Sequence, residues 1–125
     1  MLNVFIVDDD RRFIDSLSEL LGEHSDIRVA GHAQTEDAAV EWFIGNRAEW
    51  DLGIVDLALG AGSGLRVLSA CRVRQAGQKI VVLSNHLNSA MRRRCTLLGA
   101  DAAFAKDADI EAILRYCRDV SASNR

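Results

Sequence analysis

Proline is missing altogether from the 125 residues, so a cis peptide bond anywhere in the chain would cost about 2.5–4 kcal/mol. Cysteine is scarce and odd in number. Cys71, Cys95 and Cys117 form no CxxC pair, which argues against a disulfide frame or zinc site and for buried thiols in a reducing compartment. Charge of one sign is lacking too: a net charge of −3 disfavours direct nucleic-acid binding through the whole surface. The one basic run, Arg92-Arg93-Arg94, has the length of a solvated helix face. No apolar run approaches the roughly 18 residues of a membrane span. No basic flank followed by an apolar stretch and a cleavage site opens the chain, so a cytoplasmic location is the expectation. Repeats and low-complexity tracts are absent as well, leaving one domain over residues 1–120 and a short tail at 121–125. The 49% hydrophobic and 26% charged content is that of a soluble globule.

What is present alternates. Val4 to Val7, Leu52 to Val55 and Ile80 to Leu83 are strand-sized apolar runs. Ile27 to Ala30 is a more polar one and Ala102 to Ala105 a short one. Between and after them, apolar residues recur at helical spacing: Phe13, Leu17, Leu20 and Leu21; Ala39, Trp42 and Phe43; Leu65, Leu68 and Cys71; Met91, Cys95 and Leu98; Ile110, Ile113, Leu114 and Cys117. Asp9 or Asp10 reads as the N-cap of the first helix and Thr35 as that of the second. Five strands alternating with five helices imply right-handed crossovers and a doubly wound parallel sheet covered on both faces. The apolar strands belong at its centre and the polar second strand at an edge. The expected fold is flavodoxin-like, order 2-1-3-4-5, with ligands bound beyond the carboxyl ends of the strands.

Those ends carry chemistry. Asp8, Asp9 and Asp10 follow the first strand, Asp56 the third, Ser84 the fourth and Lys106 the fifth. Carboxylates gathered in one crevice repel each other unless a cation or raised pKa values relieve them. Oxygen ligands that leave room for water suit Mg²⁺, and a lysine with a hydroxyl suits an anion of several oxygens. Taken singly, each residue has a plainer role: helix cap, turn serine, surface lysine. Asp56 is the exception, because an acid closing a fully apolar strand needs a reason.

The whole chain resembles bacterial two-component response-regulator receiver domains. Val4-Phe5-Ile6-Val7-Asp8-Asp9-Asp10 is similar to their opening, and Asp51-Leu52-Gly53-Ile54-Val55-Asp56 with Gly64 to their acceptor segment. Val81-Val82-Leu83-Ser84 and Gly99-Ala100-Asp101 through Lys106 match two further motifs. The resemblance implies that Asp56 accepts a phosphoryl group while Ser84 and Lys106 hold its oxygens. It further implies that Mg²⁺ (or Mn²⁺) sits on Asp9, Asp56 and the backbone carbonyl of Ala58, with Asp8 orienting a water beside it. The implied donor is a sensor histidine kinase or histidine phosphotransfer protein. The output would be a protein partner, the molecule a monomer or weak dimer through its fourth helix, fifth strand and fifth helix. Self-phosphorylation from a small donor and slow self-dephosphorylation are expected, without enzymatic turnover.

Several positions depart from the family. Asp107 stands where proline usually follows the lysine, so the Lys106–Asp107 bond is expected to be trans. The loop Ala58–Gly64 has glycines and no proline, and is expected to be mobile. Asn85 replaces a small residue, and Ala103 takes the place of the aromatic switch residue, with Phe104 one position later. These changes favour the alternative of a phosphorylation-independent interaction module; the retained acids, serine and lysine oppose it. An aspartate phosphatase of the haloacid-dehalogenase type would need a second Asp at position 58, where Ala58 stands. A dinucleotide carrier would need G-x-G-x-x-G rather than Gly60-Ala61-Gly62-Ser63-Gly64. His24, His32 and His86 lack ligand spacing, and Trp42 and Trp50 read as packing residues; His86, at the mouth of the site, is placed to influence phosphate lifetime.

Overall fold

Strand burial follows the composition of each run. The computed structural model describes residues 1–106 and 110–123. Its strands are β1 (Leu2–Val7), β2 (Ile27–Ala33), β3 (Leu52–Asp56), β4 (Ala58–Leu59), β5 (Gly62–Ser63), β6 (Lys79–Ser84) and β7 (Ala102–Ala105). Five of them form one parallel sheet in the order β2-β1-β3-β6-β7. That is the 2-1-3-4-5 order expected from the alternation, because β4 and β5 pair only with each other as a small antiparallel hairpin. Every residue of β3 is buried, as a strand with neighbours on both sides and helices on both faces requires. The polar strand β2 lies at an edge.

The first four helices each start where a short polar side chain takes up a free backbone N–H. In α1 (Arg11–Gly22) the Asp10 carboxylate accepts from the Arg12 N–H at 2.9 Å. In α2 (Glu36–Gly45) the Thr35 hydroxyl accepts from Ala38 at 3.1 Å. In α3 (Gly64–Ala70) Ser63 accepts from Leu65 at 3.1 Å, and in α4 (Ser89–Leu97) Asn88 accepts from Met91 at 2.8 Å. The last helix, α5 (Ile110–Ser123), begins beyond the undescribed segment.

The period of two in the strands divides the core between two faces. Val4, Ile6, Ile54, Val81 and Leu83 pack with Ile14, Leu17 and Leu21 of α1 and Ile113, Leu114 and Cys117 of α5. Phe5, Val7, Val55 and Val82 pack with Ala39 and Phe43 of α2, Val67 and Leu68 of α3 and Cys95 of α4. Trp42 stacks on Phe5 at 3.8 Å between centroids, and Trp50 meets Phe43 edge-on at 5.1 Å. Both tryptophans pack as expected. All three cysteines are buried, and burial pushes the thiols of Cys71 and Cys117 up to about 11 and about 12, far from reactivity. At the end of the sheet away from the acids, Asp101 accepts from the Ile80 N–H and from Arg74, both at 2.8 Å. Gly99, with φ +102°, makes the turn before it. The Gly99-Ala100-Asp101 motif therefore holds β6 and β7 in place, far from any chemistry. Among the described residues no helix is long and apolar enough to cross a membrane.

Candidate functional site

The crevice at the carboxyl ends of β1, β3 and β7 draws three acids and one lysine together. Asp8 and Asp9 follow β1, Asp56 closes β3, and Lys106 follows β7. Among the described residues, Asp8, Asp9 and Asp56 each offer a carboxylate oxygen, and these oxygens lie within 4.8 Å of one another. Asp8 is fully buried, Asp56 is nearly so, and Asp9 faces solvent. Lys106 Nζ donates to Asp8 Oδ1 at 2.9 Å and to Asp56 Oδ2 at 3.0 Å, and lies over the Phe13 ring, 4.8 Å from its centroid.

This lysine relieves part of the repulsion that the sequence implies. Burial by itself lowers the Lys106 pKa, but the two carboxylates outweigh it and hold the ammonium above its ordinary value. Asp8 goes the other way. Its burial raises the carboxyl above the usual range despite hydrogen bonds from Lys106 and the Asp10 N–H, and the Asp56 charge adds to the rise. Its Oδ2 is buried and has no hydrogen-bond partner among the described residues. An orphaned buried carboxylate oxygen beside two other carboxylates, one of them open to solvent, fits a hard divalent cation that keeps some of its water.

Asp56 is held by the segment that follows it. Asp56 Oδ1 accepts from the Ala58 N–H at 3.1 Å, fixing Ala58 against the acid. Gly64 N–H donates to Leu57 O at 3.0 Å, bringing the start of α3 beside Asp56. The segment expected to be a mobile loop is instead the β4–β5 hairpin, turning at Gly60 with φ +61°. Ser84 ends β6 one residue past the Leu83 that pairs with Asp56, and its hydroxyl accepts from the His86 N–H at 3.1 Å. Asn85 and His86 are exposed beside it.

The two residues at the position of the family's aromatic switch point opposite ways. Ala103 packs into the core beneath α4, and its carbonyl accepts from Arg92 Nη1 at 3.2 Å. Phe104 lies on the other face and meets Tyr116 of α5 at 5.7 Å. It cannot stand in for a ring at position 103. The Lys106–Asp107 bond lies outside the described residues. Sequence reasoning missed Glu36, whose carboxylate accepts from the Ser63 N–H at 2.8 Å across a separation of 27 residues; no local pattern signals such a contact.

The chain matches the model of the response regulator receiver domain over residues 4–118. It is 26% identical to the transcriptional regulatory protein DesR of Bacillus subtilis over 125 residues, which are all of this chain and 61% of that protein. The chain spans about three fifths of the length of the curated relatives it matches. Its fold superposes with a TM-score of 0.84 on the non-phosphorylated HemR receiver domain of Leptospira biflexa, at 22% identity, covering 97% of this chain and 94% of that one. A response regulator of Burkholderia pseudomallei, with a phosphorylated aspartic acid, a calcium ion and citrate, matches at a TM-score of 0.78 and 26% identity. There the match covers 99% of this chain and 73% of that one. With the sheet order, the acid cluster and the lysine already in place, these matches make the chain a member of the response-regulator receiver domain family.

Proposed function

We propose that this receiver accepts a phosphoryl group on the Asp56 carboxylate from a phosphohistidine of a sensor histidine kinase or histidine phosphotransfer protein. The observation that carries the reading is a nearly buried acid whose charged partner, Lys106, also holds a second buried acid with an orphaned oxygen. A carboxylate oxygen of Asp56 attacks phosphorus, the P–N bond of the phosphohistidine breaks, and the imidazole leaves with the bond's electrons. The product is an acyl phosphate. Asp8, Asp9, Asp56 and the Ala58 carbonyl would hold Mg²⁺ (or Mn²⁺), which when bound would supply positive charge against the phosphoryl oxygens. Lys106 is placed to turn from Asp56 to a phosphoryl oxygen, and the Ser84 hydroxyl to donate to another. Positioning and electrostatics carry most of such a transfer.

Ala58 offers no general acid two residues past Asp56, so hydrolysis of the acyl phosphate is slow and the protein acts as a switch. Its state is read by a protein partner on the face of α4, β7 and α5, in a monomer or weak dimer. Incubation with acetyl phosphate and Mg²⁺ should add one phosphoryl group by intact mass, and Asp56→Asn should abolish the addition. Label that persists in the variant, or that maps to a serine, overturns the assignment. The Ala103 position, which has no ring to move, favours a second reading as a phosphorylation-independent module. A wild-type chain that takes no phosphoryl group in the same experiment would establish that reading.

A further inference from the structure

Glu36 stands in the first turn of α2, remote in sequence from the acids, yet its side chain is only 14% exposed and turned onto the acceptor loop. Oε1 accepts from the Ser63 N–H at 2.8 Å. Oε2 lies 3.3 Å from Arg66 Nε, whose own side chain is 78% exposed, so that ion pair contributes little by itself. Gly62 makes the approach possible, because a Cβ there would come within 2.7 Å of Glu36 Cβ. The hairpin thus lies against α2 at a distance only glycine permits.

From Ser63 the connection to the site is short. Ser63 caps α3 through Leu65, and Gly64 beside it binds Leu57 O and packs on the Asp56 backbone. Across the hairpin, Ser63 pairs with Ala58, whose N–H holds Asp56 Oδ1. A segment with glycines at 60, 62 and 64 and no proline has large chain entropy to lose on ordering. Among the described residues, two side chains from outside the segment take up its backbone N–H groups: Asp56 holds the Ala58 N–H, and the Glu36 carboxylate, from α2, holds that of Ser63.

We propose that Glu36 is a positioning residue for the acceptor site: it fixes the β4–β5 hairpin, and through it the Ala58 backbone and the Asp56 carboxylate. This rests on reading the acid cluster as a metal-dependent phosphoacceptor. It acts through a hydrogen-bond acceptor rather than through charge, and that distinction makes it testable. Glu36→Gln loses the charge at the α2 N-terminus and the pairing with Arg66 but keeps an oxygen for the Ser63 N–H. Glu36→Ala loses all three.

The test measures Mg²⁺ affinity by calorimetry and amide exchange at residues 57–64 for the full chain and both variants, with thermal midpoints alongside. Glu36→Ala should weaken Mg²⁺ binding by about three- to tenfold, the size of one net hydrogen bond, and speed exchange across the hairpin. Glu36→Gln should stay close to wild type in both, although it shares the loss of helix-end charge. Wild-type affinity and exchange in Glu36→Ala overturn the proposal, and so does equal impairment of the two variants. A wild-type chain that binds no Mg²⁺ sinks the metal reading of the acids instead; the exchange comparison then decides the role of Glu36 on its own.

Discussion

Gly64 has no room for a side chain. A Cβ there would overlap the Asp56 carbonyl oxygen and lie 2.8 Å from Leu57 Cα, and backbone atoms of a buried strand end cannot yield as a flexible side chain would. Gly64→Ala should therefore cost about 1–3 kcal/mol by overpacking, measured by urea unfolding; wild-type stability would mean that the start of α3 can retreat. Asp8 gives a prediction of opposite sign. Its carboxyl is raised by burial above the unfolded value, so ionising it costs the folded state more than the unfolded. Its contribution favours folding at low pH and is lost as pH rises through the raised pKa. Asp8→Asn should accordingly raise the thermal midpoint in EDTA at pH 7, because the amide oxygen still accepts from Lys106 without a buried charge. A lowered midpoint would show that the pairing with Lys106 outweighs burial. Stability given up to bury an acid with one orphaned oxygen is a mark of a functional position.

Elements with strong signals are legible one by one in the sequence. The apolar runs give β1, β3 and β6, and Asp10 and Thr35 cap the helices they were expected to cap. Alternation along Ala102–Ala105 sends Ala103 and Phe104 to opposite faces. The β4–β5 hairpin is not legible: two-residue strands of Ala, Leu, Gly and Ser carry no period, and its tether comes from a residue 27 positions away. The acid site is legible because every member ends or follows a strand, and the parallel topology brings those ends together. Reporting of the site's state is an element-scale matter. With no ring at 103, we propose the Ser84–Asn85–His86 segment and the start of α4 as the route beside Ser84. Arg92 ties α4 to the Ala103 carbonyl, so a shift of this segment would work against that bond. A beryllofluoride phosphate mimic should move backbone amide resonances across residues 84–95. Changes confined to residues touching the mimic would leave α4 without a signalling role.

At the scale of the molecule, the site and the core cannot come apart. Asp8 continues β1 and Asp56 ends β3, neighbouring interior strands that pair from Val4↔Leu52 to Val7↔Val55. Those strands feed the cores on both faces of the sheet, so unfolding either core removes strands that carry the acids. A ligand held by these acids binds the folded chain alone and must stabilise all of it. Mg²⁺ at about a hundred times its dissociation constant should add about 2.7 kcal/mol, a rise in thermal midpoint on the order of 10 °C for a domain of this size. Asp9 is the discriminating position, since it is exposed and forms no part of either core. Asp9→Ala should leave the midpoint in EDTA near that of wild type and remove most of the rise with Mg²⁺. A rise of equal size in the variant would mean that the cation binds elsewhere, and would detach the acid cluster from the metal.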